Sequence, residues 1–139
     1  MIMPYLSFYG DCEEAFKLYQ KAFNGQQPNL ARYSDAPSSS YPDMDKEQLN
    51  KIMHGFVMLT ESGGVSGADA IWPVDKGSAI NIHVYCDSVD TAQYAFDILA
   101  EEGESISRLE RNPAPHDSSV SGMVKDKYGF TWVLSAQIA

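Results

Sequence analysis

Two stretches, YLSFYGDCEEAFKLYQKAFNG from Tyr5 to Gly25 and INIHVYCDSVDTAQYAFDILAEEG from Ile80 to Gly103, carry one pattern twice. Each runs from a short strand through an acidic helix start and an amphipathic helix to a glycine, and internal repetition of this kind decides an architecture. Asp11 with Glu14 three positions on resembles a capping box, and Asp87 with Asp90 is a shorter-armed version of it. Behind these caps, Cys12, Ala15, Phe16, Tyr19, Ala22 and Phe23 recur at helical spacing, as do Val89, Ala92, Phe96, Leu99 and Ala100. Each helix therefore has one apolar face to bury. Asn24-Gly25 and Gly103 supply residue types that take a left-handed backbone past a helix end at little cost.

Outward from each helix the chain turns strand-like. The first half offers Leu30 to Tyr33, Ile52 to Thr60, and Val65 to Ile71 across the Ser62-Gly63-Gly64 turn. The second offers Ser105 to Glu110, Val120 to Lys125, and Phe130 to Ser135 across Asp126-Lys127-Tyr128-Gly129. One strand, one helix and three strands, twice, predict an α+β fold of two βαβββ modules, residues 1–75 and 76–139 of a single domain. Between the strands lie a Pro-, Ser- and Asp-rich excursion from Ser34 to Asn50, with a helical turn expected over Asp45 to Leu49, and a loop from Asn112 to Ser119 holding Pro113, Pro115 and His116.

At 139 residues the chain is long enough to bury a substantial core. Ten Lys and Arg against 19 Asp and Glu leave a formal charge of −9, which repels phosphate backbones and anionic membranes and argues against a nucleic-acid or membrane partner. MIMPYLSFYG lacks the basic start and apolar run of a secretory signal, and no stretch approaches the roughly 20 apolar residues of a spanning helix, so a cytoplasmic location is expected. Cys12 and Cys86 lack C-x-x-C spacing and read as buried free thiols.

Three motifs, PYLSF-x-G-x-C-x-E-A from Pro4 to Ala15, Lys51-Ile52-Met53-His54, and GMVKDKYGFTW from Gly122 to Trp132, resemble the PhnB-like branch of the glyoxalase/bleomycin resistance/dioxygenase (vicinal oxygen chelate) superfamily. The resemblance implies an eight-stranded mixed-sheet cup, a homodimer and a small-molecule ligand. Metal-dependent members of the wider superfamily place His or Glu on the first strand of each module and on the last strand. The matching positions here are Pro4, Asn81 and Val133, with a fourth around Gly67. Three of these have no ligating side chain and Asn81 is a weak neutral donor, so neither the standard metal nor another cofactor is expected. Where relatives tend to carry E-T-F-W-G, this chain reads Glu110-Arg111-Asn112-Pro113-Ala114 and lacks the aromatic pair.

Alternation in Ile80-Asn81-Ile82-His83-Val84-Tyr85-Cys86 sets Ile80, Ile82, Val84 and Cys86 against the helices and turns Asn81, His83 and Tyr85 to the other side. That side is either a ligand-binding wall or a solvated sheet face. Leu6 and Phe8 are expected as apolar walls of the same cup. His54 can act as a general base or simply bond a neighbouring strand. Trp72 suits either stacking on a ligand or closing the junction between modules, whereas Trp132 reads as core. His116 reads as a surface histidine, and sequence separation leaves open whether His54, His83 and His116 meet. Gly63 to Gly67 reads as a hairpin turn because no helix follows to cradle a phosphate. No G-x-S-x-G is present. The reading is thus a protein that binds a small organic molecule in its cup without the standard metal. Two alternatives are a metal-dependent lyase, isomerase or dioxygenase using non-standard histidine ligands, and a non-catalytic dimeric interaction module.

Overall fold

A computed structural model describes all residues, 1–139. The chain divides into two compact units, Met1–Gln20 with Asn24–Asp75, and Lys21–Phe23 with Lys76–Ala139. The first contains β1 (Tyr5–Phe8), most of α1 (Cys12–Phe23), β2 (Asn29–Arg32), a single 3-10 turn at Tyr33–Asp35, the short α2 (Lys46–Leu49), β3 (Ile52–Met58) and β4 (Gly64–Asp69). The second contains β5 (Ile82–Cys86), α3 (Val89–Ala100), β6 (Glu104–Arg111), β7 (Ser119–Lys125) and β8 (Thr131–Gln137). Their sheets have the same topology, β1-β4-β3-β2 and β5-β8-β7-β6, with the first pair parallel and the others antiparallel.

Each sheet buries one face under its helix. In the first unit Leu6, Phe8, Val57 and Val65 are buried, as are Cys12, Ala15, Phe16 and Tyr19 of α1, and Phe8 stands edge-on to Phe16 at 5.9 Å between ring centres. In the second, Val84, Val120, Val124, Trp132, Leu134 and Ala136 are buried, as are Ala92, Ala95, Phe96 and Leu99 of α3. The helical spacing thus names the packing faces, apart from Ala95, which it omits.

Several local expectations need correction. α3 is capped by Ser88, not Asp87: Ser88 Oγ accepts the Thr91 N–H at 3.1 Å and Thr91 Oγ1 accepts the Ser88 N–H at 3.0 Å. The box is real but lies one residue later and uses hydroxyls. Asp11 stands at the start of α1, yet its side chain makes no capping bond. The N–H of Cys12 goes instead to Asp69 Oδ1 at 3.0 Å. α1 ends on Asn24, whose φ of 50° is left-handed, whereas Gly103 follows α3 without a positive φ. Glycine is needed there for closeness, since a Cβ at 103 would sit 2.2 Å from the Lys125 carbonyl oxygen. β5 begins at Ile82, so Ile80 and Asn81 precede it, and Ile80 is exposed rather than packed under the helix.

Two buried aspartates tie loops to strands by the same device. Asp69 Oδ1 accepts N–H groups from Gly10 at 2.8 Å and Cys12 at 3.0 Å, and Oδ2 accepts from Ile52 at 2.8 Å. Asp126 Oδ1 accepts from Tyr128 at 2.9 Å and Phe130 at 3.0 Å, and Oδ2 accepts the indole N–H of Trp132 at 2.9 Å. Every buried donor so held is one that would otherwise cost free energy. No helix is long and apolar enough to cross a membrane.

Candidate functional site

The side of the second sheet opposite α3 carries the polar residues of that unit. Strand alternation puts His83 and Tyr85 of β5 there, since Val84 between them is buried. The same alternation adds Val133 and Ser135 of β8, and Ser121 and Met123 of β7. His83 lies in register with Val133 and Tyr85 with Ser135, which in turn faces Ser121.

A continuous hydrogen-bonded line crosses this face. His83 Nε2 lies 2.9 Å from Ser135 Oγ, and Ser135 Oγ lies 2.8 Å from Ser121 Oγ. Asn112, the residue after β6, donates from Nδ2 to Ser121 Oγ at 3.0 Å and to Ser119 Oγ at 2.8 Å. Ser119 Oγ donates to the His116 carbonyl at 2.8 Å. Ser135 is 2% exposed, so the line passes through a buried hydroxyl and surfaces at the exposed imidazole. The Tyr85 ring leans over His83, 4.8 Å between ring centres and 35° between planes, and is 68% exposed. A histidine held on one edge by a hydroxyl, beside an open aromatic face, can donate or accept a hydrogen bond and stack a planar group.

The remaining candidates fall elsewhere. Asn81 is exposed, just before β5. Leu6 and Phe8, expected as cup walls, lie on the helix side of β1 in the core, Phe8 with no exposed surface. Their pairing partners in register, Gly67 and Asp69, fall on the same side, and Asp69 reaches the start of α1. His54 lies on the other side of the first sheet, stacked on Tyr5 at 5.9 Å and 17°, and is exposed. Trp72 stands three residues beyond β4, half exposed. His116 joins the polar line through its backbone carbonyl, not its ring. Trp132 is fully buried.

The residues at the superfamily's metal positions do not fit an ion. Pro4 offers only a carbonyl, which already accepts the Ser66 N–H at 2.9 Å and faces Ser66 Oγ at 3.3 Å. Gly67 has no room for a ligating side chain, because a Cβ there would come within 2.3 Å of the Leu6 carbonyl oxygen. Val133 is an alkyl group on the open face. Within neither unit do three His, Cys, Asp or Glu side chains converge as a metal site.

Both thiols are held in the protonated form. Burial, with Asp69, Asp11 and Glu13 nearby, pushes Cys12 far above the usual thiol range, and burial with Asp87 pushes Cys86 up to about 11. Neither suits nucleophilic work at neutral pH. Burial raises Glu13, but the Arg32 guanidinium, which reaches both carboxylate oxygens at 3.0 Å, together with Lys17 outweighs it and holds Glu13 below its ordinary value. The pair is a third exposed and supports the start of α1 rather than a reaction.

Asn112, Ser121 and Ser135 escaped the sequence reading. Ser135 shares strand parity with Val133 and could have been placed on the open face. Its link to Ser121 depends on the β7–β8 register, which alternation alone does not give.

Comparisons with known proteins agree with this architecture. Residues 1–135 match the family described as 3-demethylubiquinone-9 3-methyltransferase. Protein YjdN of Escherichia coli strain K12 is 28% identical over 148 residues, covering 96% of this chain and 93% of its own. The crystal structure of protein PA1353 from Pseudomonas aeruginosa superposes with a TM-score of 0.82 at 25% identity, covering 100% of this chain and 98% of that one. A PhnB protein from Bacillus cereus gives a TM-score of 0.72 at 23% identity, covering 97% and 98%. A glyoxalase/bleomycin resistance protein from Albidiferax ferrireducens, 11% identical with a TM-score of 0.61 over 99% and 100% of the two chains, shares the fold.

Proposed function

The chain belongs to the 3-demethylubiquinone-9 3-methyltransferase family, the PhnB-like branch of the glyoxalase superfamily, and on that premise we propose that it binds a small organic molecule on the open face of its second sheet, through its own side chains and without the superfamily's metal. The family label names a reaction, but the side chains described above assign no methyl transfer to this chain. His83 and Tyr85 make the contacts in this reading. Asn81, just before β5, is a secondary candidate on the same unit, and the half-exposed Trp72 is a separate candidate on the first unit. A cytoplasmic homodimer fits the same picture.

The observation that supports it most is the line from Asn112 through Ser121 and Ser135 to His83. A merely solvated sheet face has no need of an imidazole anchored from beneath, since water satisfies an exposed histidine equally well. Anchoring lowers the ordering cost that a ligand would otherwise meet.

The test is a thermal-shift screen of the purified protein against small carbonyl and carboxylate compounds, aromatic ones included. Compounds that raise the wild-type Tm should lose that effect in His83→Ala and weaken in Tyr85→Ala. A dissociation constant a hundredfold below the ligand concentration corresponds to about 2.7 kcal/mol of stabilisation. If the same compounds shift His83→Ala as strongly as wild type, the site lies elsewhere.

A further inference from the structure

We infer that Asn112 is a positioning residue that sets the tautomer of His83 from across the sheet, so that the neutral ring presents Nδ1–H to a ligand's carbonyl or carboxylate oxygen. This rests on the reading of His83 as a ligand contact, but its basis is the direction of each hydrogen bond in the line.

The direction follows from counting protons. Each serine hydroxyl has one to give, and Ser119 gives its proton to the His116 carbonyl at 2.8 Å. The Asn112 atom 2.8 Å from Ser119 Oγ must then be a donor, which fixes Nδ2 rather than Oδ1 towards the serines without appeal to the shapes of the two atoms. The second Nδ2 proton goes to Ser121 Oγ at 3.0 Å. Ser121, having accepted, passes its own proton to Ser135 Oγ at 2.8 Å, and Ser135 passes its proton to His83 Nε2 at 2.9 Å. In the opposite sense, a proton on Nε2 would be given to Ser135 and that of Ser135 to Ser121. Ser121 would then face the Asn112 amide with a hydroxyl proton and no acceptor for it. If Ser121 still gave its proton to Ser135, Ser135 would accept twice and its own proton would have no acceptor in the line, so either way one bond is unmade. Nε2 is thus the acceptor at the end of a one-way line, and the proton of neutral His83 sits on Nδ1. That nitrogen has no hydrogen-bond partner in the protein, and the ring is exposed.

Asn112 also occupies the stretch Glu110 to Ala114 that lacks the aromatic pair expected from the resemblance. An aromatic side chain there could not start the line.

Asn112→Asp has nearly the same shape but no donor towards the serines. A carboxylate would accept from Ser121, reverse the line and require Nε2–H to donate to Ser135. Long-range proton–nitrogen NMR on ligand-free protein, well above the ordinary histidine pKa, reads which ring nitrogen bears the proton. Wild type is expected to be mainly Nδ1–H and Asn112→Asp mainly Nε2–H. Ser121→Ala, which interrupts the line with a smaller change, should give a mixture and serves if the aspartate variant fails to fold. A wild-type His83 protonated on Nε2, or Nδ1–H retained unchanged in the folded variants, would overturn the inference. Because no ligand is present, this result is independent of the thermal-shift screen, and either can fail without the other.

Discussion

Asp69→Ala should lower the stability of the protein by about 3–6 kcal/mol, since three N–H groups lose their acceptor at roughly 1–3 kcal/mol each, with some sharing of the loss. Those donors belong to Gly10, Cys12 and Ile52, so one carboxylate joins the β1–α1 turn to the start of β3. The side chain lies on residues that are 57 and 59 positions from two of its partners, and nothing local can replace it. Asp69→Asn provides the graded control. With its oxygen in the Oδ1 place it still accepts from Gly10 and Cys12, while its NH₂ confronts the Ile52 N–H, so an intermediate loss is expected. Chemical denaturation monitored by circular dichroism would rank the three proteins. Equal stability of Asp69→Ala and wild type would mean that the three bonds do not hold the unit together. Against a typical total of about 5–15 kcal/mol, the alanine variant should be partly unfolded at 37 °C or close to it.

Trp132→Ala is expected to have a comparable effect, about 3–5 kcal/mol, from the loss of a large side chain with no exposed surface. Its ring packs on Phe23, 5.3 Å between centres, and its indole N–H closes the turn through Asp126. Trp132→Phe separates the two contributions: most of the bulk remains and only the bond to Asp126 disappears. Its cost should be about 1–3 kcal/mol, including the acceptor left short of a partner and the smaller ring. The same denaturation experiment distinguishes them, and a phenylalanine variant as unstable as the alanine one would assign the tryptophan's role to its N–H rather than to packing.

The repeat, both helix faces and the buried Trp132 were legible because each depends on local periodicity, which packing in this fold obeys. The side of β5 on which His83 and Tyr85 stand was legible for the same reason. The capping of α3 was only approximately so: Asp87 with Asp90 and Ser88 with Thr91 are both plausible acidic or hydroxyl pairs at the same spacing, and the backbone chose the second. Placing Leu6 and Phe8 on a ligand wall failed to weigh α1, whose Phe16 needs an apolar partner and finds Phe8. Asp69 looked like an ordinary strand residue, because its value comes entirely from donors distant in sequence. The polar line is hidden for a related reason. Ser121, Ser135 and Asn112 are unremarkable residue types, and what makes them a unit is strand register together with the number of protons each can give.

The positions that match the ligand sites of metal-dependent superfamily members hold Pro4, Gly67, Asn81 and Val133 in this chain. The most direct measurement is therefore elemental analysis of protein purified without chelators and without a histidine tag, for wild type and His83→Ala side by side. Binding through the protein's own side chains predicts manganese, iron, nickel and zinc well below one per chain in both. About one equivalent of a single metal in wild type, lost in His83→Ala, would contradict it and make His83 a ligand of an ion instead of the end of a hydrogen-bonded line.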